Sequence, residues 1–134
     1  MQERYKSISF NTIKNADVCI VVFDLTNKRS FECVNNWIET IRDNSNIPIG
    51  LIGNKSDLFT REVSQEEIVA FYSNQKIKYF ETSAKLNEGI NDAFITMATL
   101  AYQNKKKKMK VKKQNVVNLN NKKTKKKNFI NYTI

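Results

Sequence analysis

The feature that most constrains the fold is an uninterrupted apolar run, Val18 to Phe23, which ends at the acidic residue Asp24. The run shows no alternation of apolar and polar residues, so it indicates a strand covered on both faces, as in a parallel sheet. Two further candidate strands, the apolar stretch 48–53 and the shorter segment 77–80, also end at polar segments. Three buried strands of this kind predict an α/β fold.

Segments with helical spacing follow each of the three strands. Apolar residues recur every three or four positions across residues 31–41 and again across 90–101, where Phe94 is expected to face the core. Between these segments, Ser64 with Glu67 three residues later forms a capping box that opens a helix. The order predicts three parallel strands alternating with three helices, and ligands of such sheets bind at the carboxyl ends of the strands.

The positive charge of the chain is concentrated at its C-terminal end. Residues 1–104 hold 11 Lys and Arg against 13 Asp and Glu, a net charge of −2, whereas residues 105–134 hold 12 Lys and no acidic residue, a net charge of +12. We therefore predict one domain at 1–104 and a disordered, Lys- and Asn-rich tail at 105–134. The tail is either a solvated extension or a segment attracted to an anionic membrane through Lys105–Lys127; nucleic-acid binding is the less favoured alternative.

Several classes of function are excluded by composition. The chain has no His, so His-based catalysis and the commonest zinc sites are ruled out. Its two cysteines, Cys19 and Cys33, lack C-x-x-C spacing, and we expect reduced thiols and no metal site. No apolar stretch is long enough to span a membrane, and the first residues, Met1 to Lys6, are mostly polar or charged. These observations favour a cytoplasmic protein.

The first candidate binding segment is Gly53-Asn54-Lys55-Ser56-Asp57, directly after the second strand. An Asp carboxylate at this place can accept two parallel hydrogen bonds, and guanine offers such a pair in its N1–H and its exocyclic amine. Adenine does not offer that pair, so Asp57 could discriminate between the two purines. The stem of Lys55 can lie flat over a purine face. Taken alone, the same residues also fit an ordinary polar turn.

The second candidate segment, Ser83-Ala84-Lys85, begins 29 residues after Asn54 and follows the third strand. A small residue at position 84 would let the backbone N–H approach an oxygen of the base. Two such loops at the ends of neighbouring strands, with one helix between them, are far more specific than either loop alone.

Together the two loops resemble the guanine-recognition loops of the Ras superfamily of small GTPases, and the chain is most similar to the Rab family. The matching segments are Gln2–Tyr5, Asp24–Phe31, the pair Trp37 and Ile38, Arg61–Ser64 and Glu81–Lys85. The resemblance implies the C-terminal half of a P-loop GTPase fold, binding of GTP and GDP, and interaction with Rab effectors and regulators. It also implies a switch in vesicle-mediated protein transport, located in the cytoplasm or peripherally on endomembranes.

The resemblance also implies roles for single residues. Asp57 would read the guanine edge, with the stems of Lys55 and Lys85 flanking the base. Asn54 would brace the first loop and tie it to the phosphate-binding loop. Ser83 would shape the last loop, and the N–H of Ala84 would donate to the base oxygen. Gln2 would position the attacking water during hydrolysis.

Parts of the family pattern are missing from the 134 residues. The sequence contains no G-x-x-x-x-G-K-[ST] stretch and lacks the switch residues that hold Mg²⁺ in the family. No Cys follows Cys33, so the chain carries no prenylation site. We therefore expect an N-terminally truncated family member, inactive as written and without metal ligands. The alternative is a degenerate, non-catalytic Rab-like module that only binds partners.

Overall fold

The computed structural model describes residues 11–129, and side chains within residues 11–119. Three strands form one sheet in the order β1 (Cys19–Asp24), β2 (Ile49–Asn54) and β3 (Lys78–Thr82). Both neighbouring pairs are parallel, which confirms the predicted α/β class. Each strand ends one or two residues later than expected, because the polar residue that follows the apolar run still belongs to the ladder.

Helices separate these strands in the part of the chain that is described. They are α1 (Lys28–Glu32), α2 (Val34–Asn44), α3 (Gln65–Gln75) and α4 (Ile90–Phe129); residues 11–15 are helical as well. Where one helix was predicted across residues 31–41, the structure has α1 and α2, which meet at Cys33. The predicted capping box is confirmed, because Ser64 Oγ accepts from the Glu67 N–H and the Glu67 carboxylate accepts from the Ser64 N–H.

The main apolar core lies between one face of the sheet and the helices α2 and α3. Val21 and Leu51 of the sheet pack with Val34 and Ile38 of α2 and with Ile68 of α3. All five side chains are buried. This face accounts for the apolar residues that recur at helical spacing in α2 and for the buried residues Val21 and Phe23 of β1. The expectation that β1 is covered on both faces was wrong in the described part of the chain, because Val22 points to the other face and is 59% exposed.

Helix α4 covers the opposite face of β2. Successive residues of a strand point to opposite faces, and a Cβ added at Gly50 would lie 2.8 Å from Met97 Sδ. Glycine at this position therefore allows the helix to approach the sheet closely. Ala93 and Met97 are buried, whereas Phe94 is 56% exposed. The expectation that Phe94 faces the core was wrong, because one residue further along a helix points about 100° away.

The outer edge of β1 borders an open groove of about 520 Å³. The groove is lined by the backbone and side chains of residues 18–22, by Ile13, and by Trp37 and Ile41 of α2. Val22 is 59% exposed and Trp37 is 41% exposed. The described part of the chain thus leaves an apolar strand edge uncovered, a feature that promotes self-association.

The tail predicted to be disordered is helical as far as the structure describes it. Helix α4 continues without interruption to Phe129, so the prediction was wrong for residues 105–129. No Gly or Pro follows Gly89, and Lys favours helix, so the sequence contains no signal that would end α4. The chain divides into two compact units after Tyr102. Within residues 11–129, no helix is long and apolar enough to cross a bilayer.

Candidate functional site

The strand register brings the carboxyl ends of all three strands side by side. Asp24 of β1 pairs with Asn54 of β2, and Asn54 pairs with Thr82 of β3. The loops that follow β2 and β3 therefore start next to each other. The two segments that the sequence marked, residues 53–57 and 83–85, lie at this end of the sheet.

Asn54 connects the two loops through its side chain. Its Oδ1 accepts a hydrogen bond from Thr82 Oγ1 at 3.0 Å and another from the Ala84 N–H, also at 3.0 Å. Thr82 is almost fully buried, with 1% of its surface exposed. The backbone makes a parallel link, because the Ser56 N–H donates to the Thr82 carbonyl at 3.0 Å. In this arrangement Asn54 braces the loop after β3.

Asp57 and Ser83 form the second connection between the loops. Ser83 is fully buried, and its Oγ donates to Asp57 Oδ1 at 2.6 Å. The same Oγ accepts from the Leu86 N–H at 3.1 Å, so the hydroxyl is fixed from both sides. Each oxygen of an ionised carboxylate has two lone pairs. Asp57 can therefore hold Ser83 and still accept hydrogen bonds from a ligand.

The charge state of Asp57 follows from its surroundings. The hydrogen bond from Ser83 lowers the pKa of the Asp57 carboxyl, and the positive charges of Lys85 and Lys55 act in the same direction. These contributions exceed the opposing effect of desolvation. Asp57 is therefore a carboxylate at neutral pH, as a group that accepts two hydrogen bonds must be.

Lys55 and Lys85 differ in how they are held. Lys55 adopts a left-handed backbone conformation, with φ of 69°, and its Nζ lies 2.6 Å from Asp24 Oδ2. Lys85 is an exposed residue of the loop after β3. Asp24 belonged to a segment that matches the family but was not among the candidate site residues. Its position in the sequence could have indicated it, because Asp24 ends a predicted apolar strand, and Asn54 ends the next strand of the same sheet.

The loop that carries residues 83–85 is closed by its own backbone. The Ser83 N–H donates to the Glu88 carbonyl at 3.1 Å, and the Glu88 N–H donates to the Ser83 carbonyl at 3.0 Å. Gly89 follows with φ of 69°, and a Cβ there would lie 2.4 Å from the Glu81 carbonyl oxygen. Only glycine fits this position, so the loop returns to α4 by one defined path.

Polar contacts made by Arg61, at the end of the first loop, connect that loop to strand β3. Arg61 Nη2 lies 2.7 Å from Glu81 Oε1, and Arg61 Nε donates to the Val63 carbonyl at 2.7 Å. Tyr79 Oη donates to the same Glu81 oxygen at 2.9 Å. Arg61 and Glu81 both lie in segments that match the family, but the sequence did not indicate that their side chains contact each other. Because Glu81 immediately precedes Thr82 and Ser83, this contact ties both loops to one strand.

The resemblance also concerns a catalytic residue and a metal site. Gln2, the water-positioning candidate, lies outside the described residues. Among residues 11–119, no three His, Cys, Asp or Glu side chains come together as a metal site.

Comparison with known proteins places the chain among small GTPases. Residues 1–103 match the sequence profile of the Ras family. The chain is 35% identical to Ras-related protein Rab-13 of Canis lupus familiaris, over 72% of the chain and 49% of that relative. It is 36% identical to Ras-related protein RABG3e of Arabidopsis thaliana, over 75% of the chain and 53% of the relative. It is 39% identical to GTP-binding protein ypt3 of Schizosaccharomyces pombe, over 73% of the chain and 47% of the relative.

The chain thus spans about half the length of the curated relatives that it matches. The part in common contains the whole of the described sheet and both loops at its carboxyl end.

Proposed function

Because the chain belongs to the Rab proteins of the Ras family, we propose that it binds the guanine base of GTP and GDP at the carboxyl end of its sheet. The residues proposed to line the base site are Asn54, Lys55, Asp57, Ser83, Ala84 and Lys85. The observation that carries the proposal is the 2.6 Å hydrogen bond from Ser83 to Asp57, which presents an ionised carboxylate at the junction of the two loops.

Asp57 is proposed to select guanine over adenine. Its carboxylate accepts from guanine N1–H and from the exocyclic amine, two donors that lie on one edge of the base. Adenine presents a bare N1 on that edge and would leave the carboxylate without its hydrogen bonds, which costs affinity in a desolvated site. The stems of Lys55 and Lys85 are proposed to cover the two faces of the base.

Ala84 is proposed to recognise the base oxygen through its N–H. In the structure that N–H donates to Asn54 Oδ1 at 3.0 Å. Ala84 is exposed, so an incoming carbonyl oxygen can reach the same N–H. We propose that the base oxygen shares this donor or takes it over, while Thr82 continues to hold Asn54.

Hydrolysis requires groups that hold the phosphates and Mg²⁺. No G-x-x-x-x-G-K-[ST] stretch occurs among the 134 residues. We therefore propose that this chain alone binds guanine nucleotides weakly and does not hydrolyse GTP. An assay of phosphate release from GTP checks this, and turnover above the uncatalysed rate would overturn it.

The wider role is proposed from family membership. We propose that the protein acts in vesicle-mediated transport as a guanine-nucleotide switch that meets Rab effectors and regulators. The proposed location is the cytoplasm, with peripheral attachment to endomembranes.

Helix α4 supports one further proposal about attachment. Its residues 105–119 include seven Lys and no acidic residue, and their side chains are exposed. We propose that Lys105–Lys127 attract the protein to anionic lipid, each Lys near the surface contributing about 1 kcal/mol. Sedimentation with phosphatidylserine vesicles should remove the full chain from solution and leave a 1–104 chain behind. Equal binding to neutral vesicles, or binding unaffected by salt, would contradict it.

The base site is tested by exchanging one atom of Asp57. Asp57→Asn replaces one carboxylate oxygen by an amide NH₂ group, which would face one of the two guanine donors with a donor of its own. We expect GDP affinity to fall by about 1–3 kcal/mol, roughly 5- to 150-fold, measured by titration followed by NMR or calorimetry. Xanthosine diphosphate, which carries a carbonyl in place of the amine, should bind the variant better than it binds the natural chain.

The matched control for that experiment is Asp43→Asn, which removes an equal charge from an exposed position of α2. It should leave the affinity for GDP unchanged. ADP should bind the natural chain far more weakly than GDP does. Equal affinity for GDP and ADP would show that Asp57 does not read the base.

A further inference from the structure

Asp24 is fixed at the carboxyl end of β1 by contacts to both of its carboxylate oxygens. Oδ1 accepts from the Thr26 N–H at 2.8 Å and from Thr26 Oγ1 at 2.7 Å. Oδ2 lies 2.6 Å from Lys55 Nζ. The Asp24 side chain is 23% exposed, so this ion pair is partly shielded from water. The turn at Thr26 therefore sets the place at which the Lys55 ammonium is held.

Lys55 is constrained at both ends of its side chain. Its backbone is left-handed, with φ of 69°, and its carbonyl accepts from the Leu58 N–H at 3.1 Å. A non-glycine residue with this backbone persists only where the surroundings hold it there, and such residues cluster at functional sites. The pairing of Asp24 with Asn54 means that the Lys55 side chain runs from the end of β2 towards β1.

A second carboxylate, that of Asp57, is influenced by the charge of the same ammonium. Asp57 stands two residues after Lys55, and the positive charge of Lys55 contributes to lowering the pKa of its carboxyl. The Asp57 carboxylate already holds Ser83 and, in the proposed function, must also accept two donors from guanine. An ammonium bound to Asp57 would occupy that accepting edge. Asp24 offers the ammonium an alternative partner on the far side of Lys55.

We propose that Asp24 is a positioning residue of the base site, which holds the Lys55 ammonium at the end of β1 and so leaves the Asp57 carboxylate open to guanine. The aliphatic stem of Lys55 then forms a wall of the site, while its charge is compensated outside the site. The inference rests on the proposed function, because it explains how that site stays available.

The first test uses no nucleotide. Lys55 and Lys78 are labelled with an amine-reactive ester and quantified by peptide mass spectrometry, with the exposed Lys78 of β3 as the internal reference. Asp24→Asn preserves the shape of the side chain and removes its charge, so Lys55 labelling should rise about two- to fivefold relative to Lys78. It should rise further in Asp24→Asn/Asp57→Asn, which removes both partners. Unchanged labelling in Asp24→Asn would overturn the proposal.

The second test is a double-mutant cycle on GDP affinity. Asp24→Asn should weaken GDP binding by about two- to fivefold, since the released ammonium moves to Asp57. In a Lys55→Met background, which keeps an apolar stem without charge, Asp24→Asn should have no further effect. Equal losses in both backgrounds would show that Asp24 does not act through Lys55 and would overturn the proposal.

Controls separate this inference from a structural role and from the proposed function. The urea midpoint of Asp24→Asn without nucleotide reports any loss of stability, which a merely structural role would produce equally in both backgrounds. Asp43→Asn should change neither labelling nor affinity. If the natural chain bound no GDP, the proposed function would fail, and the labelling of Lys55 would still decide whether Asp24 holds its ammonium.

Discussion

Asn54 is the residue on which the order of the candidate site depends most. One oxygen atom, Oδ1, satisfies both the Thr82 hydroxyl and the Ala84 N–H. Thr82 is buried, so its hydroxyl has no access to water as a substitute partner. Removing the Asn54 amide therefore costs more than a surface hydrogen bond would.

We expect Asn54→Ala to lower the free energy of unfolding by about 1–3 kcal/mol, the cost of leaving a buried polar group unsatisfied. Urea denaturation followed by circular dichroism measures it. Asn36→Ala, at an exposed position of α2, is the control and should be neutral or slightly stabilising. Equal midpoints for the two variants would contradict the role given to Asn54.

Lys76 offers a test of backbone strain away from the site. It ends α3 with a left-handed φ of 55°, and its N–H donates to the carbonyls of Tyr72 and Ser73. Glycine adopts this conformation without steric cost, so Lys76→Gly should stabilise the fold by about 0.5–1 kcal/mol. Lys78→Gly, in strand β3, should destabilise it instead. A urea midpoint that falls in both variants would contradict the argument.

At the scale of elements, the contact between Arg61 and Glu81 joins the segment before α3 to strand β3. Burial acts to raise the pKa of the Glu81 carboxyl, but the hydrogen bonds from Arg61 and Tyr79 outweigh it, and the pKa is lowered. The stabilisation is thus fully present above the pKa of an unfolded Glu, about 4.3, and is lost as the pH falls through the lower value of the folded state.

Glu81→Gln should therefore cost about 0.5–1 kcal/mol at neutral pH and progressively less as the pH falls through the lowered pKa of the folded state, where the natural Glu81 also becomes protonated. Urea midpoints measured across that range give the difference between the two proteins. Glu32→Gln, at an exposed position of α1, should give a small difference at every pH. A difference for Glu81→Gln that grows on acidification would contradict the assignment.

At the scale of the whole molecule, the edge of β1 that residues 11–129 leave uncovered dominates the expected behaviour in solution. Val22 is 59% exposed, beside the groove of about 520 Å³ along the outer edge of β1. An unpaired apolar strand edge is a template for association with another chain. In the described part of the molecule, the core under α2 and α3 is well packed, whereas this surface stays exposed to solvent.

Val22→Thr should reduce concentration-dependent association, because it keeps the β-branched shape and adds a hydroxyl to the exposed side chain. Sedimentation velocity at increasing protein concentration measures the effect. Val69→Thr, on helix α3 where Val69 is 38% exposed, is the matched control and should leave association unchanged. If both variants associate as the natural chain does, the edge of β1 is not the contact.

The local elements follow from the sequence wherever neighbouring residues carry the signal. The apolar run before Asp24 determines a parallel strand, of which only Val21 and Phe23 are buried, and Ser64 with Glu67 determines where α3 begins, since the capping contacts span only three residues. The two loop motifs were recognisable for the same reason. The end of α4 could not be recognised from the sequence, because the high charge suggested disorder whereas the helix propensity of Lys favoured a continued helix.

What the tertiary structure decided is which distant side chains meet. Ser83 and Asp57 are 26 residues apart, and Arg61 and Glu81 are 20 apart. Their contacts depend on the sheet register, which no local pattern encodes. The same holds for Asp24 beside Lys55. The sequence by itself thus determined the elements and the two loops; the packing of three parallel strands determined how those loops are joined, and that Phe94 and Val22 stay exposed.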